Sequence, residues 1–203
     1  MDLSSLEPLD GSRLLDPLEA ARYVLGAVIR RRLPDGRLLA ARIVEVESYF
    51  EADPASHTYR GPSSRNAAMF GEPGHAYIYL SYGIHWCLNV TAGPSGTGAG
   101  VLVRAVEPLE GVEVMRELRA MPVEREPLLT NGPGKLTQAL GIDQSLYGHD
   151  LRLEPLQVLG GGRVAAQAVE VTPRIGISVA TEAPLRFCVA DSVFLSRRVG
   201  KRG

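Results

Sequence analysis

The sequence predicts a single mixed α+β domain, in which a curved, largely antiparallel β-sheet is surrounded by helices. Three observations lead to this prediction. The chain has 203 residues, a length that suits one domain with a substantial core. Hydrophobic residues make up 45% and charged residues 22%, as in ordinary globular proteins, so disorder is excluded as the main state. Segments with β-like alternation dominate, and the helical segments between them do not alternate with them regularly.

The domain is expected to cover residues 1–203, with flexible ends at 1–12 and 197–203. The acidic start MDLSSLEPLD lacks the basic flank and apolar stretch of a secretory signal. No apolar run approaches the roughly 20 residues that span a bilayer. The two cysteines, Cys87 and Cys188, cannot form a disulfide framework. Together these features favour a reduced, cytoplasmic location.

The first helix is expected to begin after Asp16, whose side chain can cap it. Pro17 then occupies the first helical position, Glu19 completes a box-like capping pattern, and Gly26 ends the helix. Two β-like segments follow, GAVIRRRL and RLLAARIVEVESY, separated by LPDG at 33–36. Because proline, aspartate and glycine favour tight turns, these two segments are predicted to form a hairpin.

Strand alternation in the second segment sorts its side chains onto two faces. One face is expected to carry Ile43, Glu45, Glu47 and Tyr49. The other is expected to carry Val44, Val46 and Ser48. Two carboxylates are therefore expected to share a face with aliphatic and aromatic neighbours near the end of a strand.

The remaining elements follow from glycine, proline and apolar periodicity. After a polar loop at 51–74, AYIYLSYGIHWCLNVTA is predicted to be one long strand, or two strands bent at Gly83. Residues 93–100 form a turn into the strand VLVRAVEP, and Pro108 is expected to open a helix that ends near Arg119. A second helix is expected from about Pro133 to Gly141. The tail contains two β-like pieces, RIGISVA and LRFCVA.

The charge balance excludes a global positive field as the basis of polyanion binding, since the formal net charge is −1. Locally, Arg60, Arg65 and Arg104 stand against one acid between 59 and 104. Just before this basic stretch lie four unopposed acids, namely Glu45, Glu47, Glu51 and Asp53. Charge alone favours ordinary surface variation over a binding face.

Glu47 and a group of tyrosines are the first candidates for chemistry. A partly buried carboxylate at Glu47 could act as a general base for water, although the strand pattern alone favours a glutamate that is solvated or paired with arginine. Tyr77, Tyr79 and Tyr82 fall within six positions, and the first two share a strand face. Such rings can stack on a nucleobase, but tyrosine is also a common strand residue, and the pattern alone favours that interpretation.

Asn89 is a polar residue in an apolar strand, where it could contact a ligand or be a satisfied buried amide; the pattern supports both equally. The segment NGPGK at 131–135 has small residues and Lys135 before a helical pattern, which suits a phosphate but more often marks an ordinary helix start. The four histidines show no paired metal spacing, so no structural metal is predicted.

Taken together, the chain resembles the alkyladenine DNA glycosylase family, also called 3-methyladenine DNA glycosylase of the methylpurine type. The resemblance spans about Leu15 to Val193. It is carried by RIVEVESYFEADPASH (42–57), RNAAMFGEPGHAYIYLSYGIHWCLNV (65–90), VLVRAVEPLEGVEVM (101–115) and LTNGPGKLTQALGI (129–142). The order and spacing of EVESY, YIYLSYG and RAVEPLEG are specific to this family.

The resemblance implies a monofunctional DNA glycosylase of base excision repair. Its substrates would be alkylated or deaminated purines (3-methyladenine, 7-methylguanine, hypoxanthine) flipped out of double-stranded DNA, and its product an abasic site. It implies no cofactor, a monomer, and a compact bacterial-type enzyme that associates with the nucleoid through DNA. The loop between Tyr49 and His57 is one residue shorter than in vertebrate members, and His85 and Trp86 replace other aromatic residues.

Matched residue by residue, Glu47 falls on the general base of the family and Arg104 on the arginine that helps to hold the attacking water. Tyr82 falls on the residue that intercalates into the vacated stack. The pocket for the flipped base would be formed by Tyr49, His57, Tyr79 and Asn89, the last of which disfavours guanine. The DNA backbone would be bound by Arg60, Arg65 and Lys135, with Arg174 and Arg186 as further candidates.

Three alternatives stay open beside this interpretation. A non-catalytic damaged-DNA binding module would share the pocket, but the presence of Glu47 argues against it. A bifunctional glycosylase and lyase would need an amine nucleophile, and Lys135 is the only interior lysine. A free nucleoside hydrolase would need a site for the sugar hydroxyls, usually with a calcium-binding aspartate cluster, which the sequence lacks.

Overall fold

One antiparallel sheet organises the chain. The computed structural model describes residues 6–120, 125–160 and 164–199. In these residues the strands are β1 (Glu7–Pro8), β2 (Val28–Arg32), β3 (Leu38–Tyr49), β4 (Ala76–Ser81), β5 (His85–Thr91), β6 (Gly100–Glu110), β7 (Leu156–Gly160), β8 (Val169–Thr172) and β9 (Arg186–Val189). The sheet order is β1-β7-β2-β3-β6-β5-β4, while β9 pairs with both β3 and β8. The predicted fold class, a mixed α+β domain with a curved antiparallel sheet, is confirmed.

Four α-helices accompany the sheet within the described residues: α1 (Pro17–Val24), α2 (Val112–Arg119), α3 (Pro127–Thr130) and α4 (Pro133–Ala139). The start of α1 is confirmed, since Asp16 accepts hydrogen bonds from the backbone N–H groups of Leu18 and Glu19, both at 2.9 Å. The helix predicted near 133 is α4, whereas α3 was not predicted. None of the helices in the described ranges combines the length and apolar character that a bilayer crossing needs.

The prediction that Pro108 opens α2 is wrong. Pro108 lies inside β6 opposite Ala41, where the register of β3 and β6 shifts between Ala40 and Ala41. Proline is tolerated at such an irregularity because the missing N–H interrupts a ladder that is already broken. The helix begins only after Gly111, whose φ of 77° makes the left-handed turn between strand and helix.

Of the two alternatives for 76–92, the pair of strands is correct. Ser81 pairs with His85, so residues 82–84 form the hairpin loop between β4 and β5. Tyr82 and Gly83 both have positive φ, at 51° and 71°. In the tail, LRFCVA forms β9 as predicted, but the prediction of a strand for RIGISVA is wrong, because 174–180 consists of bends and residues without regular structure.

The predicted face of Ile43 is wrong, because the pairing of β3 and β6 is irregular at this point. Ile43 pairs with Val106 and Glu45 with Ala105, so one additional residue of β3 lies between these pairs. This bulge changes the alternation. Ile43 therefore packs in the main core with Val46 rather than sharing the face of Glu45 and Glu47, while Val44 joins a second cluster with Ala105, Cys188, Phe194 and Leu195.

The N-terminal range that the sequence predicts to be flexible contains regular structure from Glu7 onward. Glu7 and Pro8 pair with Gly160 and Leu159 of β7, and Leu9 is buried. Residues 1–5 at the N-terminal end and 200–203 at the C-terminal end lie outside the described part of the chain.

The turn at Gly111 gives a first prediction. A Cβ at Gly111 would lie 2.5 Å from Leu39 Cδ2 and 2.8 Å from the Leu38 carbonyl oxygen, whereas a Cβ at Gly36, which has a similar φ of 88°, would meet nothing within 4 Å. We expect Gly36→Ala to cost about 1 kcal/mol of unfolding free energy from backbone strain alone. Gly111→Ala should cost about 3 kcal/mol, because overpacking adds to the strain. Urea denaturation measures both, and equal losses would contradict the predicted clash.

Candidate active site

A cavity of about 580 Å³ opens beside β3, β4, β5 and β6. Most of the side chains that the sequence singled out line it, among them Tyr49, His57, Tyr79, Tyr82, Asn89 and Arg104. Arg65 and Tyr77 also line it, and residues 175–179 close one side. The structure therefore brings together residues that lie more than 100 positions apart in sequence.

Glu47 lies directly behind the wall of this cavity, with its side chain fully buried. Its Oε2 accepts hydrogen bonds from the Tyr49 hydroxyl at 2.8 Å and from Arg104 Nη1 at 3.1 Å. Its Oε1 accepts one from the backbone N–H of Ile175 at 2.8 Å. All three donors belong to residues of the cavity wall. The carboxylate is thus held at both oxygens against the cavity.

Arg104 connects Glu47 to a second buried acid. In the pairing of β3 and β6, Arg104 is the additional residue of β6 between the pairs of Glu45 and Val46. Its Nη1 bonds to Glu47, and its Nε donates to Glu45 Oε1 at 3.3 Å. Burial acts to lower the pKa of Arg104, but the nearby Glu47 and Glu45 carboxylates outweigh it, so the net shift is upward and the guanidinium stays charged.

Glu45 is also paired with Arg186, whose Nε donates to Glu45 Oε1 at 2.7 Å. We call the four buried groups Glu45, Glu47, Arg104 and Arg186 the ion network. A charge in a protein interior is tolerated only where partners compensate for lost hydration, and here two acids face two bases. The suggestion that Arg186 binds DNA is therefore wrong, because its side chain is only 4% exposed and is committed to the network.

Arg174 is equally unsuited to bind DNA. Its guanidinium is buried, donates two hydrogen bonds to the Asp53 carboxylate, and lies 4.5 Å from the centroid of the Tyr49 ring. The acids that precede the basic stretch do not form a surface patch, since Asp53, Glu45 and Glu47 are buried and paired and Glu51 alone of the four is exposed. Sequence alone shows a run of acids but not the partners that tertiary pairing supplies.

One side of the cavity is aromatic. The rings of Tyr77 and Tyr79 are stacked, with centroids 5.5 Å apart, which agrees with the predicted shared face. The His57 ring meets Tyr79 edge-on at 4.5 Å, and its Nδ1 lies 2.8 Å from the Tyr77 hydroxyl. Burial raises the pKa of Tyr77 to about 12 and also raises that of Tyr79, so both phenols are neutral. Burial, and then the charge of Arg65, lower the pKa of His57, which favours a neutral imidazole.

Asn89 presents an amide at the cavity wall from β5. Its Nδ2 donates to the carbonyl of Tyr77, the residue opposite it in β4, at 3.1 Å. The side chain is nearly buried yet still lines the cavity. The two interpretations of Asn89 are therefore compatible, because an amide that donates one hydrogen bond across the strand pair can still contact a ligand with its other polar atoms.

Tyr82 stands at the tip of the hairpin on the rim of the cavity and is 89% exposed. Ile84, on the same three-residue loop, is 71% exposed. Large apolar side chains side by side on a loop tip are typical of a surface that a partner covers. The sequence interpretation singled out Tyr82 and missed Ile84, although the alternation broken at Gly83 could have indicated it.

The three predicted backbone-binding residues differ in position. Arg65 lines the cavity with its guanidinium 5.7 Å from the Tyr79 centroid. Arg60 lies in an exposed turn. Lys135 donates from Nζ to Asn131 Oδ1 at 2.7 Å, and burial together with the charge of Arg119 lowers its pKa. Arg60 and Lys135 do not belong to the wall of the cavity.

The main contact of the candidate site that sequence reasoning missed is the hydrogen bond from the backbone N–H of Ile175 to Glu47. The amino-acid type at this position does not indicate such a contact, because every residue other than proline has a backbone N–H. Within the described ranges, no three histidine, cysteine or acidic side chains are grouped so as to hold a metal ion. Cys87 and Cys188 are both buried free thiols, and Cys87 forms part of the cavity wall.

Comparison with known proteins places the chain in a family. The model of the methylpurine-DNA glycosylase (MPG) family matches residues 12–193. The chain belongs to the methylpurine-DNA glycosylase family. The resemblance drawn from sequence motifs is thereby confirmed.

Relatives from distant organisms match over nearly the whole chain. A protein of Nitrosospira multiformis is 48% identical over 180 residues, which cover 89% of each chain. Proteins of Carboxydothermus hydrogenoformans and Methanoculleus marisnigri are 44% and 45% identical, each covering 90% of this chain and 95% of the relative. All three bear the name "Putative 3-methyladenine DNA glycosylase".

The environment of His57 gives a second prediction. Because its pKa in the folded protein lies below the unfolded value of about 6.5, the proton binds the unfolded chain more readily. His57 therefore contributes stability above pH 6.5, which is lost as the pH falls through the folded value. An NMR titration of the imidazole signals should show His57 titrating below 6.5, and a midpoint at or above that value would contradict the burial argument.

Proposed function

We propose that this protein is a monofunctional DNA glycosylase that hydrolyses the N-glycosidic bond of alkylated or deaminated purines. The lesions would be 3-methyladenine, 7-methylguanine and hypoxanthine, flipped out of duplex DNA to leave an abasic site. The names of the relatives support the first of these substrates. The observation that carries the proposal is the buried Glu47 carboxylate, bonded to Tyr49 and Arg104 against an aromatic cavity.

The target bond dictates that the nucleotide leaves the helix. In a duplex the glycosidic bond is shielded by stacked neighbours, so the enzyme must extrude the nucleotide at a cost of a few kcal/mol. A cavity of about 580 Å³ is in the range of sites that hold ligands of purine size. Its aromatic side can sandwich a planar base, and its inner end leads to Glu47.

Glu47 is proposed as the general base. Cleavage of an N-glycosidic bond passes through a sugar with oxocarbenium character, which a nearby carboxylate stabilises. The same carboxylate can take a proton from the attacking water. Arg104, bonded to Glu47 and lining the cavity, is proposed to hold that water. Water and DNA are then the only reactants, and no cofactor is required.

The aromatic wall fits the charge of the proposed lesions. Alkylation at N3 or N7 gives the purine a positive charge, which makes it a good leaving group and attracts it to electron-rich ring faces. Tyr49 and Tyr79 supply such faces, and neutral His57 avoids repelling the base. Asn89 is proposed to disfavour guanine, whose exocyclic amine would meet a fixed amide.

DNA is proposed to bind across the exposed hairpin tip. Tyr82 would fill the gap left by the flipped nucleotide and so offset part of the unstacking cost. Arg60, Arg65 and Lys135 are proposed to contact phosphates, which would make binding sensitive to salt. Because the net charge is −1, this local face must do what a global field cannot. We further propose that the protein acts as a monomer in the cytoplasm.

The role of Glu47 gives a third prediction. In single-turnover assays on a duplex containing 7-methylguanine, Glu47→Gln should lower the excision rate about 10²- to 10⁴-fold, because the base for water is lost. Binding of the same duplex should be retained. The matched control is Glu107→Gln, which removes a partly exposed glutamate paired with Arg42 on the same sheet and should leave the rate unchanged.

Two outcomes would contradict the proposal in different ways. Full activity of Glu47→Gln would remove Glu47 from the mechanism. Tight binding of damaged duplex by the wild-type protein without release of any base would instead favour a non-catalytic binding module.

The absence of an amine step gives a fourth prediction. Lys135, the interior lysine, bonds to Asn131 and is not part of the cavity wall, so it has no access to the sugar of a nucleotide flipped into the cavity. We expect sodium borohydride to trap no covalent enzyme–DNA adduct and the strand to stay intact at the abasic site. Efficient trapping that is lost in Lys135→Gln would replace the water mechanism by a lyase mechanism.

A further inference from the structure

Glu45 is the most elaborately bonded acid in the described residues, yet the proposed reaction gives it no role. Its Oε1 accepts hydrogen bonds from Arg186 Nε at 2.7 Å, from the Ser196 hydroxyl at 2.7 Å and from Arg104 Nε at 3.3 Å. Its Oε2 accepts one from the Ser196 backbone N–H at 2.6 Å. The side chain is wholly buried. A carboxylate buried this deeply is costly, so its retention calls for a physical reason.

The bonding pattern connects Glu45 to the reaction through one group. Of its partners, only Arg104 lines the cavity, whereas Arg186 and Ser196 lie outside the cavity wall. Arg104 is held between the two acids, with Nε on Glu45 and Nη1 on Glu47. If the Glu45 carboxylate were absent, the guanidinium could turn both donors toward Glu47. The bond from Nε to Glu45 thus leaves Nη1 as the donor of the hydrogen bond from Arg104 to Glu47.

We propose that Glu45 is a positioning residue of this active site, which orients Arg104 and keeps the buried charge around Glu47 in balance. This inference rests on the proposed function, since it assigns Glu45 through the role of Glu47. The C-terminal segment takes part, because Arg186 and Ser196 hold the Glu45 carboxylate in place.

The charge balance can be drawn up from the titratable groups that surround Glu47. These are Glu45, Tyr49, Arg104, Arg174, Arg186 and Cys188. Burial raises the pKa of Tyr49 and, to about 12, that of Cys188, so both are neutral. The charge of Arg174 is matched by Asp53. What remains is the ion network, in which two carboxylates balance two guanidinium groups.

Removing one charged member of the ion network should therefore shift the acid limb of the pH–rate profile. The direction of the shift depends on the sign of the charge that is removed. Glu45→Gln leaves an excess positive charge beside Glu47, which favours the ionised base and moves the acid limb of the pH–rate profile to lower pH. Arg186→Gln leaves an excess negative charge and should move the limb to higher pH. A shift of about one pH unit is the size expected for a neighbouring buried charge.

The experiment measures single-turnover excision of 7-methylguanine from duplex DNA as a function of pH. This base is already cationic and needs no protonation, so the acid limb reports on the catalytic carboxylate. We expect Glu45→Gln to lower the plateau rate about 10- to 100-fold through misplacement of Arg104, and to lower the limb by about one unit. Arg186→Gln should raise the limb, and the double variant should restore its wild-type position. Glu45→Asp, which keeps the charge, should leave the limb in place.

If Glu45 and Arg186 were only structural, their variants would have lower plateau rates without opposite shifts of the acid limb. The inference is therefore overturned if the acid limbs of Glu45→Gln and Arg186→Gln do not move, or if both move in the same direction. Ser196→Ala keeps all charges and is the milder variant should Glu45→Gln fail to fold: it should lower the plateau with the limb unmoved, and a wild-type plateau would overturn the positioning role. Glu47→Gln, measured alongside, separates the two proposals. If it is inactive while the limbs do not shift, only the inference about Glu45 fails. If it is fully active, the proposed function fails.

Discussion

The pairing of buried carboxylates with arginines is the constraint on which the rest of this structure depends. An ion in the interior of a protein costs several kcal/mol unless partners replace its hydration. Glu45 and Glu47 lie on β3, Arg104 on β6 and Arg186 on β9, so charge neutrality can be reached only when these three strands assemble in register. The bulge in β3 and the additional residue in β6 occur where these side chains meet. The same assembly that satisfies the charges also leaves Glu47 against the cavity.

The C-terminal part of the chain is what completes this arrangement. Ile175 supplies a backbone N–H to Glu47, and Ser196 supplies both a backbone N–H and a hydroxyl to Glu45. These contacts join positions separated by 128 and 151 residues. A segment without regular structure can do this because its backbone groups are not used in a ladder and can bind side chains instead. The site is therefore a property of the whole domain rather than of the strand that carries Glu47.

The difference between local and distant interactions explains how much of the structure could be predicted from the sequence. Features with a local cause were predicted: Asp16 caps α1 through its own neighbours, and strand alternation put Tyr77 and Tyr79 on one face. Features with a distant cause were not. Pro108 resembles a helix start by local rules, but pairing with Ala41 keeps it in β6. Arg186 was misjudged because a sequence shows a charge but not its partner, here Glu45. The motif resemblance pointed to the candidate site residues, yet it could not show that the backbone N–H of Ile175 donates a hydrogen bond to the Glu47 carboxylate.

The hairpin tip lies on the rim of the same cavity. Tyr82 has a φ of 51°, an unfavourable conformation for a residue other than glycine, and it exposes nearly its whole ring to solvent beside an exposed Ile84. Neither feature benefits the free protein, since strain and exposed apolar area both cost free energy. A strained tip persists where surrounding structure enforces it, and here the pairing of Ser81 with His85 leaves only three residues to turn the chain. Under the proposed function, both costs would be offset once the stacked bases of a duplex cover the tip. The ion network lies behind the cavity wall, and Tyr82 at the hairpin tip lies on the cavity rim. Under the proposed function, the ion network and the hairpin are the two parts of the site whose backbone geometry is fixed by strand pairing.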